Sequence, residues 1–186
     1  DEFVKKFSDK AKALPLGDPR KPEPVVLGSV IGQGTVDHCN ALIDDALAKG
    51  AKLLCGGKAD STLMPATVLD HVTPAMRIYH EETFGPVKCV VRVSSVEEAI
   101  ACANDNEYGL SSAVFGGDVA RAFNVARKID SGICHVNGPT VHDEAQMPFG
   151  GVKGSGIGRF GGKAGIAEFT ELRWITMQTT PRHYPF

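Results

Sequence analysis

Pro86-Val87-Lys88-Cys89-Val90-Val91-Arg92-Val93 is the stretch whose reading decides the class of fold. It is rich in β-branched residues and nearly continuous, which is the composition expected of a parallel strand buried on both faces. Directly behind it, Ser94 and Ser95 stand three residues before Glu97 and Glu98, a doubled capping-box signature. The helix this opens places Val96, Ile100 and Ala103 inward. Ser112–Phe115 reads as the next strand. Asp118 then caps a helix whose apolar face is Val119, Ala122, Phe123 and Ala126, and Gly132–Val136 reads as a strand again. Strand and helix alternate at the spacing of βαβ units. This predicts an α/β fold with a mainly parallel sheet and flanking helices.

Toward the N-terminus, Ala66–Leu69 and Lys52–Cys55 read as short strands, the second closed by Gly56-Gly57. Thr35–Lys49 has a helical period, with Val36, Cys39, Ile43 and Ala46/Leu47 on one face and Gly50 as the stop. Four prolines between Pro15 and Pro24 make that segment a loop. The first residues form an amphipathic helix with Phe3, Phe7, Ala11 and Leu14 on one stripe. A chain that opens inside such an element, without Met, is expected to be a piece of something longer. Toward the C-terminus, glycines crowd Gly150–Gly162. Glu171–Gln178 then alternates Leu172 and Trp174 against Glu171 and Arg173, a half-buried strand standing alone. The expected division is a domain over 1–170 and a strand with its tail over 171–186.

With 186 residues the chain can bury one substantial core. Its net charge of −2 argues against nucleic acid, and no polybasic run suggests a membrane surface. No apolar stretch approaches the ~20 residues a membrane-spanning helix needs. Residues 1–7 lack the apolar core and cleavage site of a signal peptide. Five cysteines, an odd number without CxxC spacing, fit reduced thiols and a cytoplasmic location.

Two constellations fail. Gly156-Ile157-Gly158-Arg159-Phe160-Gly161 matches GxGxxG literally. It follows a glycine-rich loop rather than a strand, so a tight turn is the better reading. His38-Cys39 and Cys134-His135 lack the paired short spacings of a zinc site, and no metal is expected. There is no GxSxG elbow and no P-loop.

Glu81-Glu82-Thr83-Phe84-Gly85-Pro86-Val87 could be no more than a charged loop leading into a strand. It does not stand alone. Downstream follow Asn106-Glu107-Tyr108-Gly109-Leu110, Gly132-Ile133-Cys134-His135-Val136-Asn137, and Pro148-Phe149-Gly150-Gly151-Val152-Lys153-Gly154-Ser155-Gly156. This ordered set resembles the aldehyde dehydrogenase superfamily across nearly the whole chain. The loop from Gly138 to Gln146 and the turn from Arg159 to Lys163 resemble the salicylaldehyde, vanillin and benzaldehyde dehydrogenase branch.

The resemblance implies an NAD- or NADP-dependent oxidation of an aldehyde, aromatic by the branch, to its acid. Glu82 would accept hydrogen bonds from the nicotinamide-ribose hydroxyls, a task suited to an acceptor-only carboxylate. Phe84 would pack near the nicotinamide. Phe149 is either a core aromatic or a wall of the aldehyde pocket, and His142 lies in the polar loop at its entrance. In such enzymes a cysteine thiolate attacks the aldehyde, hydride leaves to the cofactor, and a glutamate activates the water that hydrolyses the thioester. The resemblance places that nucleophile and base upstream of Asp1, so no catalytic residue is assigned within the chain. Cys134 falls mid-strand, where a structural thiol is expected. The resemblance makes 1–170 part of a catalytic domain and 171–186 an oligomerisation strand with its tail, which implies a homodimer or homotetramer. A CoA-acylating or semialdehyde-specific relative, or a non-catalytic structural homologue, remains an alternative.

Overall fold

The computed structural model describes residues 1–185. They divide into two units, Asp1–Ala99 and a second from Ile100 onward.

The first unit contains α1 (Glu2–Lys12), α2 (Gln33–Ala48), β1 (Lys52–Cys55), β2 (Thr67–Asp70), α3 (Arg77–His80) and β3 (Val87–Cys89), and α4 (Val96–Asn104) starts at its end. The sheet order is β1-β2-β3, with β1 antiparallel and β3 parallel to β2. Every residue of β2 is buried. Leu69 packs into the cluster formed by Val36, Cys39, Leu42, Ile43 and Ala46 of α2, together with Met64, Met76 and Val87. Val68 joins Ala11 of α1 and Cys55, with Phe7 against them. Alternation along the strand thus sends neighbouring side chains to two helices. The helix α2 ends where Gly50 adopts φ +97°, the left-handed stop that glycine favours.

Two expectations need correction here. The strand buried on both faces is β2, not the run from Pro86. That run supplies only Val87–Cys89 to the sheet, at its edge, with Val87 buried and Lys88 and Cys89 exposed. Within this three-stranded sheet β1 runs antiparallel to β2 and β3 parallel, in keeping with a mainly parallel α/β fold. The buried stripe of α1 begins at Val4 rather than Phe3, which is 70% exposed and stacks on Phe7 with ring centroids 5.7 Å apart.

The second unit contains β4 (Ser111–Val114), α5 (Val119–Ala126), β5 (Ile133–Val136) and α6 (Gly162–Glu168). β4 and β5 are parallel and joined through α5, a βαβ unit. Asp118 caps α5 by accepting from the Arg121 backbone N–H at 3.0 Å. The face of α5 that is buried is narrower than its apolar pattern. Ala122 and Ala126 are buried, whereas Val119 and Phe123 are exposed. Three blocks of the sequence meet at one backbone crossing. Gly109 C=O accepts from both Gly132 N–H (3.0 Å) and Val152 N–H (2.9 Å). A Cβ on Gly132 would lie 1.8 Å from the Gly150 carbonyl oxygen, so only glycine fits. Residues 171–178 form no strand. Leu172 and Trp174 are 105% and 92% exposed, and nothing in the described chain pairs with them as a ladder. Phe186, the last residue assigned to that tail, lies outside the described residues.

The α4 entrance matches its capping signature once rather than twice. Glu98 N–H donates to Ser95 Oγ (3.0 Å), and the Glu98 carboxylate accepts from Ser94 N–H (2.7 Å). Just before it, Arg92 forks onto the buried Asp70 carboxylate, with Nε 2.9 Å and Nη2 2.7 Å from its two oxygens. The Arg92 guanidinium holds the Asp70 carboxyl down to about 2, against the burial that pushes it up. A folded-state pKa below the ordinary value stabilises the fold above that ordinary value, and the contribution disappears as the pH falls through about 2. Asp70→Asn is therefore expected to cost about 2 kcal/mol near neutral pH and progressively less in acid. Urea denaturation of both forms across that range checks this. A difference that does not change with pH would remove the pair as its cause.

Candidate functional site

The chain leaves α3 into Glu81-Glu82-Thr83-Phe84-Gly85 before entering β3. Residues of α2 seat the backbone of this turn. His38 Nε2 lies 2.9 Å from the Glu82 carbonyl oxygen. The Cys39 thiol donates to the Thr83 carbonyl at 3.3 Å, and burial pushes that thiol's pKa up, keeping it a donor. The Thr83 hydroxyl donates to the Gly85 carbonyl at 3.1 Å. A Cβ on Gly85 would meet Cys39 Sγ at 2.6 Å, so the turn rests directly on the helix.

The side chains of this seated turn divide by role. Glu81 takes Arg77 on both oxygens, at 2.7 and 2.9 Å, and the guanidinium holds its carboxyl below the usual range. Glu82 is exposed and makes no side-chain hydrogen bond or ion pair among the described residues. Phe84 is 79% exposed. Its φ of +47° is a left-handed conformation that bulky residues rarely adopt. The turn therefore presents a charged acceptor and a bare aromatic ring on a fixed backbone. That fits a ligand carrying a diol and a flat heterocycle, as a nicotinamide nucleoside does.

In the second unit a cavity of about 380 Å³ is lined by Ile133, His135, His142, Glu144, Met147 and Phe149, among others. Phe149 is half-buried. Its backbone exchanges hydrogen bonds with Phe160 (2.7 and 2.9 Å), and the two rings lie 5.0 Å apart. It is thus both packed and cavity-lining. His142 is exposed, with Nε2 3.4 Å from a Glu144 oxygen. Its ring meets that of His135 edge-on at 5.5 Å. His135 Nε2 is buried without a hydrogen-bond partner. This cavity combines an apolar wall with imidazole and carboxylate groups, and could hold a small ring bearing a polar substituent.

Glu82 and Phe84 thus share one turn in the first unit, and Phe149 and His142 share one cavity in the second. The five cysteines form no disulfide among the described residues. Cys134 sits mid-strand opposite Ser112. Among the described residues no group of three or more His, Cys, Asp or Glu could hold a metal ion, and no helix is long and apolar enough to cross a membrane. The GxGxxG stretch follows a 3₁₀ turn at Lys153–Ser155, not a strand. Three contributors were not legible beforehand as site residues. His38 and Cys39 read as a helix face and a rejected metal pair, and His135 as a strand residue. Nothing local in the sequence says that His38 and Cys39 reach carbonyls 44 residues away.

The model of the aldehyde dehydrogenase family matches residues 1–175. A vanillin dehydrogenase from Pseudomonas sp. (strain HR199 / DSM 7063) is 55% identical over 185 residues, covering 100% of this chain and 38% of the relative. The crystal structure of a salicylaldehyde dehydrogenase from Pseudomonas putida G7, complexed with salicylaldehyde, superposes with a TM-score of 0.92 at 49% identity, over 100% of this chain and 38% of that one. A Mycobacterium tuberculosis aldehyde dehydrogenase complexed with NAD+ gives 0.84 at 34% identity, over 92% and 36%. The chain therefore spans well under half the length of the relatives it matches. With the family model covering almost all of it, and with the α/β fold matching throughout, the chain belongs to the aldehyde dehydrogenase family.

Proposed function

We propose that this chain is the later part of the catalytic domain of an NAD(P)-dependent aldehyde dehydrogenase that oxidises an aromatic aldehyde to its carboxylic acid. The observation that carries this reading is the contrast between Glu81, neutralised by Arg77, and Glu82, left unpaired beside the exposed Phe84. Bound NAD+ or NADP+ would supply the hydride acceptor. Glu82 would accept its nicotinamide-ribose hydroxyls, and Phe84 would limit how far the ring can swing. Fixing that ring matters because hydride transfer depends steeply on geometry. Phe149 and Met147 would pack the aromatic ring of the substrate, with His142 at the entrance. The nucleophilic cysteine and the general base would come from residues outside this segment. Vanillin and salicylaldehyde dehydrogenases, matched over all of this chain and 38% of their own length, favour an aromatic aldehyde, and a cytoplasmic location belongs to the same reading.

The division into a domain over 1–170 and an oligomerisation strand over 171–186 belongs to the same reading. Leu172, Trp174, Ile175 and Met177 are all exposed in the single chain. A strand with apolar side chains and unpaired backbone groups is suited to adding onto a neighbouring subunit's sheet, in a homodimer or homotetramer.

Glu82→Gln in the full-length protein keeps the shape and removes the charge. It is expected to weaken NAD+ use roughly tenfold while leaving the melting temperature unchanged. Steady-state kinetics with benzaldehyde checks this, and kinetic constants matching those of the parent would sink the assignment. The 186-residue segment alone is expected to turn over no benzaldehyde with NAD+. NADH formation by segment of verified intact mass would contradict that. Deleting the residues after Thr170 should shift the full-length protein toward monomer in light scattering, and an unaltered oligomer would show that another surface joins the subunits.

A further inference from the structure

We infer that His38 and Cys39 are positioning residues for the cofactor turn, acting through its backbone carbonyls. This rests on the reading of Glu82 and Phe84 as cofactor-binding. The two residues are adjacent on α2, and the two carbonyls they hold, Glu82 and Thr83, are adjacent in the turn. Cys39 is fully buried in the α2 core cluster. Because a close-packed core resists displacement, α2 is a fixed reference against which the turn is set.

The ring nitrogen of His38 that faces a carbonyl must carry a proton to bond it, which both the neutral Nε2–H form and the imidazolium do. On the other side of the turn, the 2.6 Å that a Gly85 Cβ would leave to Cys39 Sγ shows contact without slack. Two donors and one steric stop thus fix the two peptide planes that flank Thr83. The Glu82 carboxylate and the Phe84 ring hang from those planes. Neither His38 nor Cys39 has to touch the cofactor for this. Release of the turn would leave Glu82 chemically intact but wrongly aimed. Affinity for the cofactor would fall, and with Phe84 released the hydride-transfer geometry would loosen with it.

The test uses the full-length protein, with NAD+ binding measured by isothermal titration and turnover measured at saturating NAD+. His38→Leu removes the donor and is expected to raise the dissociation constant for NAD+ about tenfold, whereas His38→Gln, whose amide can still donate, is expected to stay within about twofold. In His38→Leu turnover at saturating NAD+ should fall as well, because Phe84 is released together with Glu82, whereas His38→Gln should keep the parent's turnover; the melting temperature of both should match the parent. Unchanged NAD+ affinity in His38→Leu overturns the inference, and so does an equal loss in His38→Gln, which would mean that the donor is not what matters. A second pair is independent of His38. Gly85→Ala should weaken NAD+ binding through the Cys39 contact, and adding Cys39→Ala, which relieves that contact but also removes the thiol donor, should recover part of it. A double variant no better than the single one overturns the steric part. Glu82→Gln measured alongside separates the two levels. If it leaves NAD+ binding intact, the cofactor reading itself fails. If it weakens binding while His38→Leu does not, only the positioning inference fails.

Discussion

The enclosure of β2 is the constraint on which the first unit depends. Val68 is buried toward Ala11 and Cys55, Leu69 toward α2. The Thr67 N–H is donated to the Pro86 carbonyl at 2.8 Å, and the Val90 N–H to the Leu69 carbonyl at 2.7 Å. A strand with neighbours on both edges and helices on both faces cannot slide by one residue without exchanging its two buried sets. Its position sets that of α2, since Leu42, Ile43 and Cys39 fill the space over Leu69. α2 in turn carries His38 and Cys39 to the turn that holds Glu82. An exposed, chemically active turn is thereby referenced to the best-packed part of the unit, at a cost of two hydrogen bonds rather than a long rigid element.

The second unit achieves a comparable fixity without a large core. Its strands are only half-buried. Order comes instead from close backbone approach. Gly109, Gly132 and Gly150 let three segments cross within hydrogen-bonding distance. The Asn137 amide closes the end of β5 onto Gly116, accepting from its N–H at 2.8 Å and donating to its C=O at 3.0 Å. Much of what makes the blocks around Gly109, Gly132 and Gly150 distinctive in sequence is therefore packing of main chain, which supports the cavity wall at Ile133 and Phe149.

Local signals were legible where one segment settles its own conformation. The helix α2, the strand β1, the caps at Ser95 and Asp118 and the stop at Gly50 all follow from neighbouring residues. Signals that depend on which segment lies in the middle were not. Thr67 and Asp70 make β2 look less apolar than the run from Pro86, yet β2 is central because Arg92 and the Gly57 N–H supply partners for those polar groups. Phe3 and Val4 are both apolar, and only the angle at which α1 meets the sheet selects Val4. At the site, the turn from Glu81 to Gly85 stood out by its composition and its company of other blocks. Its dependence on His38 did not, because no periodicity links positions 38 and 82.

The choice between two adjacent carboxylates shows how little chemistry is needed to set a site apart. Glu81 stands four residues after Arg77, within reach across the last turn of α3. The backbone leaves the helix at Glu81 in an extended conformation, φ −89° and ψ 134°, and successive side chains of an extended chain point to opposite sides. Turning Glu81 toward Arg77 therefore turns Glu82 away from it. The Arg77–Glu81 pair is largely exposed and contributes little to stability. Its consequence is selection. Arg77 is occupied by Glu81, and the Glu82 carboxylate is left without an ion-pair partner among the described residues. The pairing thus depends on helix geometry at the end of α3, and the free acceptor at Glu82 is a direct product of where that short helix stops.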